Sequence, residues 1–241
     1  MLDIQNFRKI YPNGKVAVDG LNLRAESGDI LGFIGHNGAG KTTTIRAAVG
    51  VLSFDEGDIL IDGHSIRAEP IRCKQVLAYI PDDPTLYNHM TGTKYLNFVA
   101  DMYRVSEKDR EERVHRYAGQ MEFMDSLNGL ISSYSHGMKQ KLAIISALIH
   151  APKLLVLDEP FVGLDPKASY TLKEIMREHC EQGMAVFFSS HVLETVEKLC
   201  NKIAIIKHGK LIRAGSTAEV RGDNSLEEVF LELTDDNASS L

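Results

Sequence analysis

The chain has 241 residues, 44% of them hydrophobic and 25% charged, a soluble globular composition long enough for one large domain or a core with a lobe. Its formal net charge of −6 argues against binding to a nucleic-acid backbone or an anionic lipid surface by charge alone. No apolar run approaches the roughly 20 residues of a membrane span, and Met1-Leu-Asp-Ile lacks the basic start and apolar core of a signal peptide, so a cytosolic chain is expected, reaching any membrane through another protein.

Leu2 to Phe7 and Val16 to Leu23 read as two strands around a turn at Tyr11-Pro-Asn-Gly14. Tyr11 serves there either as turn packing or as a ring to stack on a base. Ile30 to Ile34 is a short buried strand. It runs into Gly35-His36-Asn37-Gly38-Ala39-Gly40-Lys41-Thr42, which fits the phosphate-binding pattern G-x-x-x-x-G-K-[ST]. Ile45, Ala48, Val49 and Leu52 then recur at helical spacing, so the loop lies between strand and helix as the motif requires. The glycines permit backbone angles that side chains forbid and let main-chain N–H groups approach an anion. Lys41 would reach the β- and γ-phosphates and the Thr42 hydroxyl would hold Mg²⁺, with Thr43 placed for an earlier phosphate.

Further on, Gly57 to Gly63 alternates and ends in Asp-Gly, a strand and turn. Val76 to Ile80 is another buried strand, stopped by the stiff acidic loop Pro81-Asp82-Asp83-Pro84. From about Thr91 to Leu130 the apolar residues Tyr95, Leu96, Phe98, Val99 and Met102 follow a helical period, and Glu107 to Arg113 is a solvated charged face. This stretch reads as a helical lobe inserted into an α/β core. Ser135 is a good N-cap for the helix that buries Leu142, Ile145, Leu148 and Ile149. The run Tyr134-Ser135-His136-Gly137 is thus either a capped helix start or a second anion-binding one.

Leu154-Leu-Val-Leu is a fully buried strand from whose end Asp158 and Glu159 emerge. Such an Asp in a phosphate-loop protein holds Mg²⁺, and Glu159 is placed to polarise a water. Gly163-Leu-Asp165-Pro166 turns into a helix through about Glu181, and Met184 to Ser190 is a strand with His191 at its tip, set for a γ-phosphate contact. Ile203 to Ile206 and Lys210 to Arg213 form a hairpin around His208-Gly209. Leu226 to Leu233 is a short amphipathic helix, followed by a polar tail from 234 to 241. Cys73, Cys180 and Cys200 match no zinc spacing and are expected as reduced, buried residues.

The phosphate loop, Ser135-His-Gly, Asp158-Glu159, Asp165 and His191, in this order, resemble the ATPase subunit of an ABC transporter over roughly residues 2–233. Tyr-Ser-x-Gly-Met-Lys-Gln at 134–140, the acidic loop and Ser225-Leu-Glu-Glu-Val-Phe230 are similar to bacterial exporter-type subunits of the EcsA-like and multidrug or antibiotic-export branches. The resemblance implies an α/β fold: a P-loop NTPase core with a parallel sheet, an N-terminal antiparallel β subdomain and an inserted helical lobe. It implies one ATPase domain over 1–241, with core and β subdomain in 1–84 and 152–233 and lobe and signature in 85–151.

The same resemblance implies ATP and Mg²⁺ as ligands. Tyr11 would stack on adenine, residues 35–43 would hold the triphosphate, and Asp158 would be the Mg²⁺-associated aspartate. Glu159 would be the general base for water and His191 the γ-phosphate sensor, with Lys41 completing the catalytic set. Ser135, His136, Gly137 and Met138 match the signature that contacts ATP held by a second subunit. The expected assembly is therefore a homodimer or heterodimer that moves membrane permease subunits, the chain lying peripherally on the inner face of the cell membrane. His136 stands where the signature has Gly, Met138 where it has Gln, and Asp82, an acid able to ligate Mg²⁺, where most members have Gln. Other classes fit less well. Sustained heptads of DNA-repair relatives are absent, ribosome-acting relatives usually hold two such domains, and Asn201-Lys-Ile-Ala204 fails as a guanine-reading motif. Glu159 argues against a binding module without turnover.

Overall fold

The computed structural model describes residues 1–234. β1 (Leu2–Ile10) and β2 (Val16–Ala25) form an antiparallel hairpin, its turn closed by the Gly14 N–H donating to the Tyr11 carbonyl at 2.9 Å. All of β3 (Ile30–Ile34) is buried, and it delivers the chain to α1 (Lys41–Ala48). β4 (Glu56–Ile61) and β5 (His64–Ser65) complete a four-stranded antiparallel sheet of order β2-β1-β4-β5. α2 (Pro70–Val76) leads into β6 (Leu77–Ile80).

Three longer helices follow: α3 (Gly92–Met102), α4 (Glu107–Gln120) and α5 (His136–Leu148). Thr91, Ser106 and Ser135 cap them, each side-chain oxygen accepting a backbone N–H three residues on. The charged run on α4 is largely solvated, as expected, although Arg113 turns back to donate to the Ile149 carbonyl at 2.8 Å. β7 (Leu154–Asp158), α6 (Pro166–Glu181), β8 (Ala185–Ser190), α7 (Leu193–Leu199), β9 (Lys202–Lys207), β10 (Lys210–Ser216), α8 (Thr217–Arg221) and α9 (Leu226–Thr234) complete the described chain.

The second sheet has six strands in the order β10-β9-β3-β8-β7-β6, parallel from β9 to β6 with β10 antiparallel at the edge. Side chains alternate across it. Leu31, Phe33, Val156 and Phe187 pack towards α1 and the antiparallel sheet. Ile30, Ile34, Leu155, Leu157, Val186 and Phe188 pack towards α5 and α6. Both faces are covered, which is why these strands read as continuous apolar runs. Because β8 lies between β3 and β7, Ile34 pairs with Ser190 and Asp158 with Ser189. The three strand tips therefore lie side by side at one edge, where open α/β sheets hold ligands.

Several boundaries differ from the sequence reading: Val76, read as strand, ends α2, and β1 and β2 run on to Ile10 and Ala25. α1 stops at Ala48 because Gly50, at φ 68, takes the left-handed conformation, and Leu52 lies half-buried beyond the helix. Thr234 belongs to α9 rather than to the tail expected at 234–241: it is buried, and its Oγ1 donates to the Phe230 carbonyl at 2.6 Å. The rest of that tail, 235–241, lies outside the described residues. α2, α7 and α8 were not anticipated, being seven, seven and five residues long, too short for a periodicity to show. All three cysteines are buried and free, and burial pushes the Cys180 thiol up to about 12. Among the described residues no helix is long and apolar enough to cross a membrane.

Candidate functional site

The loop from β3 to α1 is shaped by its glycines. A Cβ at Gly40, whose φ is 116, would meet the Ala17 carbonyl at 2.8 Å, and one at Gly35 would run into the Ile206 carbonyl. Ala39 tucks into the core while His36, Asn37 and Gly38 stay exposed. Lys41 is only 7% exposed and its Nζ donates to the Gly35 carbonyl at 2.6 Å, so the ammonium lies folded along its own loop. Burial lowers its pKa, and the nearby charges of Glu159 and Asp158 oppose that shift. The α1 N-terminus with Thr42 and Thr43 completes this wall, and Tyr11 reaches it, its hydroxyl 3.2 Å from Thr43 Oγ1.

Opposite stand the acids at the end of β7. Asp158 is 1% exposed. Its Oδ1 accepts from Ser189 Oγ at 2.5 Å, while its Oδ2 is buried with no partner. Glu159 sits at φ 48, left-handed for a residue with a side chain. Its N–H donates to the same Ser189 Oγ at 3.1 Å, and its Oε2 lies 2.9 Å from His191 Nδ1. Ser189 thus ties the two acids together, and the strand tips bring His191 onto the same edge.

Two adjoining cavities occupy the space between these walls. One, of about 270 Å³, is lined by Tyr11, Lys15, Lys41, Thr42 and Thr43; the other, of about 710 Å³, by Gly35, His36, His136, Ser190 and His191. Asn37, Asp82 and Glu159 line both. The structure therefore collects Tyr11, residues 35–43, Asp82, Asp158, Glu159 and His191 at one place.

The signature residues are divided. Ser135 is the cap of α5, accepting the Met138 N–H at 3.3 Å, and Gly137 is needed because a Cβ there would meet the Gly163 carbonyl at 2.6 Å. Of Ser135 to Met138, His136 is the one that lines either of these two cavities; its ring packs on Gly163 and its Nδ1 lies 3.9 Å from Asp83 Oδ1. Asp165 caps α6 and pairs with Lys141 of α5 at 2.9 Å. The Ala168 N–H, then Lys141, hold its carboxyl below the usual range.

Sequence reasoning passed over Ser189, Gln140, Lys15 and Phe230. Ser189 and Gln140 are polar yet fully buried, and a polar residue inside an apolar run was the available signal. Phe230 of α9 packs at a tilt against the ring of His36, centroids 4.9 Å apart, a long-range contact with no local signature.

These residues fit a magnesium-bound nucleoside triphosphate. The buried ammonium and the helix N-terminus offer positive charge and donors to phosphate. The orphaned Asp158 Oδ2, with the Thr42 hydroxyl opposite, offers hard oxygen to a cation. Among the described residues no group of three or more His, Cys, Asp or Glu could hold a metal unaided, so phosphate oxygens and water would complete the shell.

Comparison with known proteins agrees with this geometry. The family profile of ABC transporters matches residues 18–162. The ABC-type transporter ATP-binding protein EcsA of Bacillus subtilis (strain 168) is 32% identical over 99% of this chain and 98% of its own. The SkfA peptide export ATP-binding protein SkfE of the same organism is 35% identical over 88% of each chain. Among solved structures, an ATP-binding subunit of an ABC transporter superposes with a TM-score of 0.94 at 31% identity, covering 98% of this chain and all of that one. With its phosphate loop, paired acids and these relatives in agreement, the chain belongs to the ABC transporter family, as one of its ATP-binding, ATP-hydrolysing subunits.

Proposed function

We propose that the chain drives a separate membrane exporter by pairing around ATP and parting after hydrolysis. The observation that carries this reading is the Glu159–His191 pair at 2.9 Å, set at the strand edge beside buried Lys41 and the unpartnered Asp158 oxygen. Lys41 and the main-chain donors of residues 35–43 bind the phosphates, and Tyr11 flanks the base. Thr42, Asp158 and Asp82 would hold Mg²⁺, which when bound neutralises phosphate charge as the terminal bond breaks. Glu159 takes the proton of the attacking water, and His191 orients that carboxylate and faces the γ-phosphate.

Ser135 to Met138 contribute little to the cavities of their own chain, which supports their acting on nucleotide held by a second copy. A pair of subunits would then close over two ATPs, and hydrolysis would shift the population back to open. The division into a core of 1–84 and 152–233 and a lobe of 85–151 is part of this proposal, the lobe carrying the signature. The name of the peptide-export relative supports export as the direction. Exposed apolar side chains, Ile71 at 71% and Met102 at 62%, beside the groove formed with Tyr103 and Arg104, offer a surface for a permease partner. The chain would therefore sit at the inner face of the cell membrane without entering it.

The test uses the Glu159→Gln variant, expected to bind ATP, retain only a small residual phosphate release and accumulate as a dimer. Normal turnover would remove Glu159 as the base. Affinity capture of the tagged chain from detergent-solubilised cells is expected to recover integral membrane subunits. Recovery of ribosomal or DNA-bound material alone would replace transport with a soluble role.

A further inference from the structure

We infer that Gln140 is the positioning residue for Glu159: its amide, buried inside α5, holds the Pro160 carbonyl and so fixes the backbone that aims Glu159 at His191. The inference rests on the reading of Glu159 as the base.

The argument begins with strain. Glu159 has φ 48, and the residue after it is proline. The ring of Pro160 bars the preceding residue from the ordinary helical region, and the left-handed region is unfavourable for any residue with a Cβ. Such a conformation persists only where the surroundings over-determine it. Two side chains do so here. On the amino side, the Glu159 N–H donates to Ser189 Oγ at 3.1 Å; on the carboxyl side, Gln140 Nε2 donates to the Pro160 carbonyl at 3.3 Å. Ser189 and Gln140 both have zero exposure.

Gln140 is also an anomaly in its own helix. It lies among Leu142, Ile144 and Ile145, which face the core, and its Oε1 is buried without a partner. A buried acceptor left unmade is a penalty that an apolar side chain of equal length would avoid. What the amide contributes is therefore the single bond to Pro160. Its orientation follows as well, since only the NH₂ end can donate to a carbonyl.

α5 grips the whole loop after β7. Gln140 holds Pro160, Gly137 sits against the Gly163 carbonyl, and Lys141 pairs with Asp165 at 2.9 Å. The same helix begins at Ser135, the residue read as meeting a second subunit's nucleotide.

The experiment compares Gln140→Met, matched in length but without a donor, with the parent chain in Mg-ATP. Because the carboxylate loses its alignment, kcat is expected to fall roughly 10- to 100-fold. ATP affinity by equilibrium dialysis and the urea midpoint should stay at the parent's values. In a Glu159→Gln background the same substitution should lower residual turnover no further, since its effect passes through the carboxylate. Unchanged kcat overturns the inference. So does a parallel loss of kcat, ATP affinity and stability, or a second full loss in the Glu159→Gln background. Parental turnover by Glu159→Gln would remove the base and this inference together, whereas an inactive Glu159→Gln beside a fully active Gln140→Met removes the inference alone.

Discussion

Glu159 Oε2 and His191 Nδ1 lie 2.9 Å apart across the tips of the neighbouring strands β7 and β8. A carboxylate oxygen accepts, so the ring donates from Nδ1. The pair orders the carboxylate proposed as the base, and both residues line the larger cavity. His191→Ala is therefore expected to lower kcat roughly 10- to 100-fold, with ATP affinity little changed. Phosphate release and equilibrium dialysis on one preparation check this; an equal loss in both would make His191 a binding residue instead.

Lys41 is poised differently. Its ammonium is already dehydrated in the loop, where it donates to Gly35 at 2.6 Å, and burial has lowered its pKa. Phosphate arriving there meets a charge whose hydration has largely been given up. Lys41→Ala should cost about 1.5–3 kcal/mol of binding, the range for a hydrogen bond to a charged group, which is roughly 10- to 150-fold in Kd. Dialysis with Mg-ATP measures it, and parental affinity would show that the main-chain donors suffice alone.

The parts of this site that could be read from sequence are those whose chemistry is local. Gly35 to Thr42 is contiguous, and its glycines announce the backbone they need. Asp158 and Glu159 stand out because four apolar residues precede them. Ser189 and Gln140 were not legible in the same way. A serine in Phe-Phe-Ser-Ser gains its role only when β8 is placed between β3 and β7, so that Ser189 pairs with Asp158. Gln140 gains its role only when α5 packs on the loop after β7. The end of α1 was misjudged for a related reason: Leu52 keeps the helical period, but Gly50 at φ 68 breaks the helix first. Periodicity reports which side chains face the core and does not by itself report where the backbone turns.

The His136–Gly163 contact gives a structural prediction independent of nucleotide. Gly163 has φ 80, and a Cβ there would collide with the His136 ring. Gly163→Ala should lose about 1–2 kcal/mol from the left-handed backbone and about 1–3 kcal/mol from overpacking. Adding His136→Gly should recover the second part and leave the first. Urea unfolding of the parent, both single variants and the double gives the coupling energy. Strict additivity would mean that the two residues do not touch.

Acid stability supplies the last prediction. His179 is 7% exposed and its Nε2 has no partner; His150 stacks on Tyr103 at 3.7 Å with its Nε2 3.1 Å from the Leu77 carbonyl. Burial lowers both from 6.5 to about 4. The unfolded chain therefore takes up these protons near pH 6.5, while the folded chain resists until near pH 4. Between those values the unfolded state binds more protons, so stability is fully present at neutral pH and falls as the pH drops through the window. Each group should remove about 2 kcal/mol between pH 7 and pH 5. His179→Phe keeps an aromatic ring in place without a titrating nitrogen. Its unfolding free energy should drop less between those two pH values than the parent's, by about 2 kcal/mol. All other groups titrate alike in both proteins, so the difference isolates His179. Equal drops would mean that His179 accepts its proton in the folded chain at its ordinary pKa.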